Sequence, residues 1–440
     1  MRRPYCFYSI FFLLLISCSP KNNWKKLAEN PDYIHRSINE VTEVMLFDIY
    51  SPPVASRIYA YISVAGYEAA INGNPKYLSL AGQLNGLKNI PKPDPQKKYC
   101  FNLAAAQAIL SVGKKLVNSE GRIEAFHTKL MAEFNDAGIP DEVYDNSVVY
   151  GNMVAKTVLQ WAAADHYNQT RSLSKYTVLT DEGSWKPTPP AYFKAVEPNW
   201  NRIRPFLIDS AQQFKPLPAV AFSAKPGSPF YQMAKAVHDA GTTLSENQRE
   251  ISDFWDCNPF RMNTNGHTMF AVKKISPGGH WINISGLACK KIHADYVRTA
   301  ETYACVAVVI ADAFISCWDE KYRSKVIRPE TYINQYIDQN WMPQLQTPPF
   351  PEYTSGHSVV STASAVMLTK LVGDHFEFAD SSEVRFGLPV RRFKSFGIAA
   401  KEAAISRFYG GIHYMNSIEN GITEGNQLAI FAAGKLKTRK

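Results

Sequence analysis

Three short stretches in the last third of the chain carry side chains that could do chemistry together. They are Lys321-Tyr-Arg-Ser-Lys-Val-Ile-Arg328-Pro329, Thr354-Ser355-Gly356-His357 and Ser406-Arg407-Phe-Tyr-Gly-Gly-Ile-His413. Taken singly, each has an ordinary structural explanation. Lys321 and Arg328 read as solvated charges at a helix end. Ser355 reads as an N-cap, and Gly356 as a point of close approach. His413, after Gly410 and Gly411, reads as a cation near a helix C-terminus. Together they describe a holder for a multiply charged tetrahedral oxyanion. Two guanidinium forks and an ammonium neutralise its charge and fix the directions of its oxygens. Ser355 and the Gly356 N–H stand at a helix start, where unpaired backbone donors favour an anion. Two histidines remain for opposite tasks. One attacks or ligates the central atom, and the other moves a proton.

The elements that must position these residues read as helices separated by Pro- and Gly-rich loops. Apolar residues recur at helical spacing over 54–70, 101–116, 147–164, 300–317, 358–372 and 397–408. Many of these segments are rich in alanine, which suits close helix packing. Strand signals are weak and short. Residues 173–209 hold Pro187, Pro189, Pro190, Pro198 and Pro205 among several aromatics, so they predict a long ordered arm without a helix. The expectation is an all-α unit decorated by long Pro-rich loops. Residues 1–17 are expected to be a signal peptide, 18–240 a helical region with the arm, and 241–440 the helical core carrying the site. The last two are expected to form one continuous structural unit.

Composition is that of a globular protein, 45% hydrophobic and 20% charged over 440 residues. The formal charge of +9 is spread along the chain, with no dense Lys/Arg run before the last few residues, which speaks against a nucleic-acid partner. Arg2 and Arg3, an apolar run from Tyr5 to Ile16, and then Ser17-Cys18 and a polar stretch read as a secretion signal. Leu15-Ile16-Ser17-Cys18 resembles a bacterial lipobox, in which cleavage leaves Cys18 acylated. The expected location is therefore a bacterial membrane, with a lipid-anchored domain facing the periplasm or the cell surface. No later segment reads as long and apolar enough to cross a bilayer. Cys100, Cys257, Cys289, Cys305 and Cys317 remain, an odd number with no C-x-x-C pair, so at least one thiol is free.

Lys-x6-Arg-Pro, then Ser-Gly-His, then Ser-Arg-x5-His, in this order, resembles the three-part signature of the type 2 phosphatidic acid phosphatase and vanadium haloperoxidase superfamily. The match spans residues 321–413 and places Lys321, Arg328, Ser355, Gly356, His357, Arg407 and His413 on signature positions. Phe254-Trp255, Gly279-His280-Trp281 and the arm from Pro198 to Phe214 are similar to the soluble haloperoxidase branch. Phe350, in Pro-Pro-Phe350-Pro-x-Tyr353, is similar to the chloroperoxidase pattern, where a phenylalanine lines the halide side. The resemblance implies a large helical bundle of the vanadium haloperoxidase type. It implies vanadate on His413, its oxygens held by Lys321, Arg328, Ser355, Gly356 and Arg407. Lys321 would polarise the bound peroxide and His357 would serve as acid–base while halide is oxidised. The same residues fit a phosphatase without cofactor, with His413 as nucleophile on a phosphoester and His357 protonating the leaving oxygen. They also fit an oxyanion-binding protein without turnover.

Two positions depart from the pattern. Thr354 replaces the usual proline before Ser-Gly-His, and Ser417 replaces the usual acid four residues after the last histidine. A carboxylate there would orient the imidazole and support its charge, so its absence weighs more against nucleophilic turnover than against vanadate ligation. Glu419 is near in sequence only. His267, His280 and His293 share a loop-rich region but no compact ligand spacing, and His280 reads as part of the site wall. Trp255 and Trp318 read as core.

Overall fold

The computed structural model describes residues 24–440, so the expected signal segment and Cys18 lie outside the described residues. The centre of the molecule is the helix Tyr296–Ser324, started by the Asp295 side chain accepting from the Arg298 N–H and ended at Lys325 in the left-handed conformation (φ 53°). It packs against Pro52–Ala70, Pro277–Lys291 and Gly356–Val372. Contrary to the sequence expectation, it is long and apolar enough to cross a membrane. It is instead wholly buried among other helices over its apolar stretch. Every residue of Pro52–Ala70 is buried as well, and its small residues let the two helices approach closely. A cluster of buried apolar side chains runs from Tyr33 to Leu436, so helices on either side of residue 240 share one core.

The helices expected from apolar spacing are present and generally longer at their ends, where polar residues finish the turns. The segment read as 147–164 begins six residues earlier, as Asp141–Ala163, because Pro140 and two acids suit a helix start. Met415–Lys435 is a further helix beside the site. The only pairings of named strands among the described residues are Met262–Asn265 with Thr268–Ala271 and Phe378–Asp380 with Arg391–Phe393, both antiparallel.

Residues 173–209 carry no helix beyond short turns, yet they are pinned at both ends. Buried Asp312 on the central helix accepts from the N–H groups of Phe206, Leu207 and Ile208 at 2.6–3.0 Å. Trp185 N–H donates to the Lys325 carbonyl at 2.7 Å, Ile327 N–H to the Gly183 carbonyl at 3.0 Å, and Val196 N–H to the Pro349 carbonyl at 3.1 Å. The arm therefore buttresses both chain segments that lead into the site.

On the opposite side, Met415–Lys435 lies unusually close to Gly356–Val372. A Cβ on Gly425 would meet the Val359 carbonyl oxygen at 2.3 Å, and one on Gly421 the Ser355 carbonyl oxygen at 3.0 Å. Both neighbours are backbone and cannot swing away. We expect Gly425→Ala to destabilise folding by about 1–3 kcal/mol through overpacking, measured by denaturant unfolding. An unchanged midpoint would show that the two helices are free to separate.

Candidate active site

The site forms where four segments converge. Lys321 comes from the last turn of the central helix, and Arg328 caps Pro329–Tyr336, whose Pro329 at the first helical position suits that start. Ser355 caps Gly356–Val372, its Oγ accepting from Ser358 N–H at 3.4 Å. Arg407 lies in the last turn of Phe396–Tyr409, and His413 follows in the short link to Met415–Lys435. Lys321, Arg328, Ser355, Arg407 and His413 are all buried. Gly356 and His357 are partly open, on a narrow cavity also lined by Cys257, Phe260, Phe314, Trp318, Phe350 and His413.

The cations are held by carbonyls. Lys321 Nζ donates to the carbonyls of Pro351, Glu352 and Thr354 at 3.0, 3.0 and 2.5 Å. Arg328 Nε donates to Phe350 O at 2.9 Å and Nη1 to Ile412 O at 2.8 Å, while Arg407 Nη1 donates to Trp255 O at 2.7 Å. Burial pushes Lys321 down to about 8 and Arg328 to about 10, and it lowers Arg407 as well. Lys321 does not line the cavity. All three of its protons go to the loop that carries Glu352 and Ser355, so here it anchors that loop instead of presenting a free donor.

His413 has a defined tautomer. Its Nε2 lies 3.2 Å from Arg328 Nη1, which can only donate, so Nε2 carries the lone pair. Its Nδ1–H then donates to Glu352 Oε1 at 2.7 Å. Burial, with Arg328, Lys321 and Arg407 adding to it, holds the ring far below its usual range and keeps it neutral. A neutral imidazole with a fixed lone pair can ligate a metal or attack phosphorus. His357 presents a second imidazole, whose buried Nε2 has no partner. Burial, followed by Arg407, keeps this ring neutral too.

Glu352 is the functional residue that sequence reasoning missed. It is fully buried, accepts from the His413 ring and from Tyr414 N–H at 3.0 Å, and supplies the carboxylate that position 417 lacks. Ser417 Oγ stands 3.4 Å from His413 Nδ1, a neutral second contact, and Glu419 is exposed. A signal was available, since Glu352 is an acid enclosed by Phe350, Pro351 and Tyr353 just before Ser-Gly-His. Thr354 also has a task, donating to buried Glu424 at 2.7 Å. Phe350 lies against both Lys321 Nζ (5.2 Å) and the Arg328 guanidinium (5.1 Å), with Trp318 4.9 Å away. Trp318 is both core and cavity wall. His280 sits behind the wall, stacked on Trp255 at 4.5 Å, whereas His267 and His293 are exposed.

Among the buried polar atoms at the site left without partners are Arg328 Nη2, Arg407 Nε and His357 Nε2, with Glu352 Oε2 behind the His413 ring. The arginine atoms are cationic donors and His357 Nε2 is a ring nitrogen, a set that a tetrahedral oxyanion with an exchangeable proton satisfies. The residues present thus fit vanadate or phosphate.

Comparison with known proteins places the fold and the family. The sequence model of the VCPO second helical-bundle domain matches residues 336–439. The chain is similar to a bacterial vanadium-dependent iodoperoxidase of known structure, with 49% identity and TM-score 0.88, covering 93% of this chain and 97% of that one. It shares its fold with bacterial vanadium-dependent chloroperoxidase in the holo form (15% identity, TM-score 0.61) and the apo form (14%, 0.65). Each of these covers 88% of this chain and 94% of its own. No curated protein matches.

The Glu352 pairing has a pH consequence. Burial raises its carboxyl to about 7 from 4.5. The folded chain therefore holds a proton that the unfolded chain releases, so the Glu352 contribution to stability falls as pH rises through that window, while His413 and His357, held below their usual range, contribute in the opposite sense. Glu352→Gln should remove its share and shift the slope toward stability that rises with pH, against the unchanged background of Glu424, Glu68 and Asp312. Denaturant unfolding at pH values spanning the window tests this, and an unchanged slope would assign it elsewhere.

Proposed function

The chain belongs to the vanadium-dependent haloperoxidases, and from that premise we propose that it oxidises iodide with hydrogen peroxide at a vanadate ligated by His413. Haloperoxidase activity and vanadate dependence follow from the relationship. Iodide as the preferred halide is supported by the iodoperoxidase relative. The observation that carries the residue assignment is the fixed lone pair on His413 Nε2 beside two unpaired buried arginine donors.

His413 Nε2 would bind the metal, with Glu352 holding the Nδ1 proton and the ring direction. Arg328 and Arg407 would hold oxygens through their free N–H groups, joined by the Gly356 N–H and Ser355 Oγ at the helix start. Lys321 adds positive charge and keeps the Glu352 loop in place. Bound vanadate supplies the Lewis acidity that activates peroxide toward a halide nucleophile. His357 Nε2 takes a proton from the entering hydrogen peroxide and returns it to the oxygen that leaves as water. Phe350, Trp318 and Phe314 exclude water on the halide side. Overall, peroxide, halide and one proton give hypohalous acid and water.

A second reading has one observation in its favour. Glu352 restores the carboxylate–histidine pair that nucleophilic attack on a phosphoester needs, so hydrolysis by His413 in the vanadate-free protein is a secondary activity to test. We further propose that Cys18 carries a lipid that anchors the domain to a bacterial membrane, facing the periplasm or cell surface. Support comes from the lipobox-like Leu15-Ile16-Ser17-Cys18. Cys18→Ser should move the protein from the membrane to the soluble fraction, and continued sedimentation with membranes would remove the proposal.

Three measurements test the active-site reading. Vanadate at a hundredfold excess over its dissociation constant should stabilise the protein by about 2.7 kcal/mol. Iodide oxidation should appear only after vanadate loading and fall roughly 10²–10⁴-fold in His357→Ala with vanadate binding retained. His413→Ala should lose both binding and activity. Full activity in His413→Ala, or a preference for chloride over iodide, would overturn the corresponding part.

A further inference from the structure

Behind the active-site wall lies a second cluster of side chains that halide oxidation does not use. Cys257 follows the helix Glu246–Phe254, His280 belongs to Pro277–Lys291, and Glu383 follows the strand Phe378–Asp380. Far apart in sequence, they meet with one ligand-capable atom of each within 4.8 Å of the other two. Cys257 Sγ is 3.4 Å from His280 Nδ1, and Glu383 Oε1 is 3.3 Å from the same nitrogen. His280 and Glu383 are fully buried and Cys257 nearly so.

Two independent features set this cluster apart from ordinary core polarity. The Glu383 side chain is sealed from solvent, yet its carboxylate accepts no hydrogen bond and has only an ion-pair contact of Oε1 with His280 Nδ1 at 3.3 Å, leaving Oε2 without a partner. A buried carboxylate so sparsely satisfied is costly unless a further cation reaches it. His280 is also oriented as a metal ligand is. Its Nε2 is 2.8 Å from Asp380 Oδ2, and Asp380 Oδ1 accepts from Ser382 N–H at 3.0 Å. A carboxylate on the far nitrogen is the usual support of a ligating imidazole, leaving the other nitrogen directed at the ion.

We propose that Cys257, His280 and Glu383 bind one divalent ion of the zinc class, distinct from the vanadate site. Zinc–sulfur and zinc–nitrogen bonds of about 2.3 and 2.0–2.1 Å give tetrahedral edges of roughly 3.4–3.6 Å. The observed separations of 3.4 and 3.3 Å lie close to that spacing. Cys257, His280 and one Glu383 oxygen would supply three vertices of such a tetrahedron, with a water molecule as the fourth ligand. Mixed thiolate, imidazole and carboxylate donors favour zinc over magnesium or calcium. Binding forms the metal–sulfur and metal–nitrogen bonds as the thiol proton, and any proton on Nδ1, leave to solvent. Cys257 lines the active-site cavity, which offers the ion a route inward.

The ion would act as a positioning clamp. It ties the Trp255–Cys257 segment to two other elements, and the Trp255 carbonyl is the acceptor that orients Arg407. Metal occupancy is therefore expected to tighten vanadate binding.

The test uses the full chain purified without a histidine tag and kept free of vanadate, dialysed against zinc or cobalt(II). One equivalent per chain should be retained, cobalt should show thiolate-to-metal charge-transfer absorption, and X-ray absorption at the zinc edge should show one sulfur neighbour. Cys257→Ser should abolish the charge-transfer band, and Glu383→Gln should weaken retention at least tenfold. His413→Ala should retain the ion. Failure of the wild type to retain metal, a zinc shell without sulfur, or loss of metal in His413→Ala would each overturn the proposal. The zinc-edge measurement on wild-type protein decides the matter even where a variant misfolds. None of these readouts depends on halide oxidation, so failure here and failure of the haloperoxidase assignment remain distinguishable.

Discussion

Lys321, Arg328 and Arg407 are buried together near the buried acids Glu352, Glu424 and Asp256, and much of the surrounding structure answers that arrangement. Removing three cations from water is expensive, and their own repulsion adds to the cost. Backbone carbonyls take up every Lys321 proton and part of the Arg328 and Arg407 donors, which is why the loop from Phe350 to Thr354 turns so many carbonyls inward. That loop is held by the arm at Val196 and by the Val326 carbonyl, to which Glu352 N–H donates at 3.0 Å. The donors left over at Arg328 and Arg407 are what an oxyanion meets. Affinity for the anion is thus the unfinished part of a burial problem that the fold otherwise solves.

The pairing of Glu352 with His413 shows how one chemical requirement can be met from a different place in the chain. The expected acid follows the histidine by four residues, on the next helix, and here that position is serine. The carboxylate arrives instead from the loop before Ser-Gly-His, across a sequence separation of 61 residues. The imidazole is served equally well, because it responds to a nearby acceptor and not to the acceptor's place in the sequence. The loop then gains a second role. It carries the base partner of the ligand and the N-cap of the helix that presents His357, so displacement of Glu352 also disturbs Ser355.

Trp255 connects this centre to the polar cluster behind it. Its indole stacks on His280, and its carbonyl receives Arg407. A change at Cys257, His280 or Glu383 is therefore one residue away from Arg407.

The helical class, the Pro-rich arm and the oxyanion signature are legible in the residue order because each rests on local physics. Apolar spacing makes helices, proline prevents them, and Ser-Gly-His or Arg-Pro at a helix start announces unpaired donors wherever the helix ends up. Lys321, Arg328, Ser355, Gly356, His357, Arg407 and His413 are singled out by their combined chemistry and by the resemblance of their spacing to the superfamily signature. What stayed hidden was every relation set by distance across the core. These are Glu352 reaching His413, Lys321 turned to carbonyls instead of the cavity, the apolar Tyr296–Ser324 helix buried in protein, and Cys257, His280 and Glu383 meeting from three elements. Spacing along the chain carries no information about such meetings. They depend on how close Gly421 and Gly425 let two helices come and on where the arm is pinned, and those contacts exist only once the core has packed.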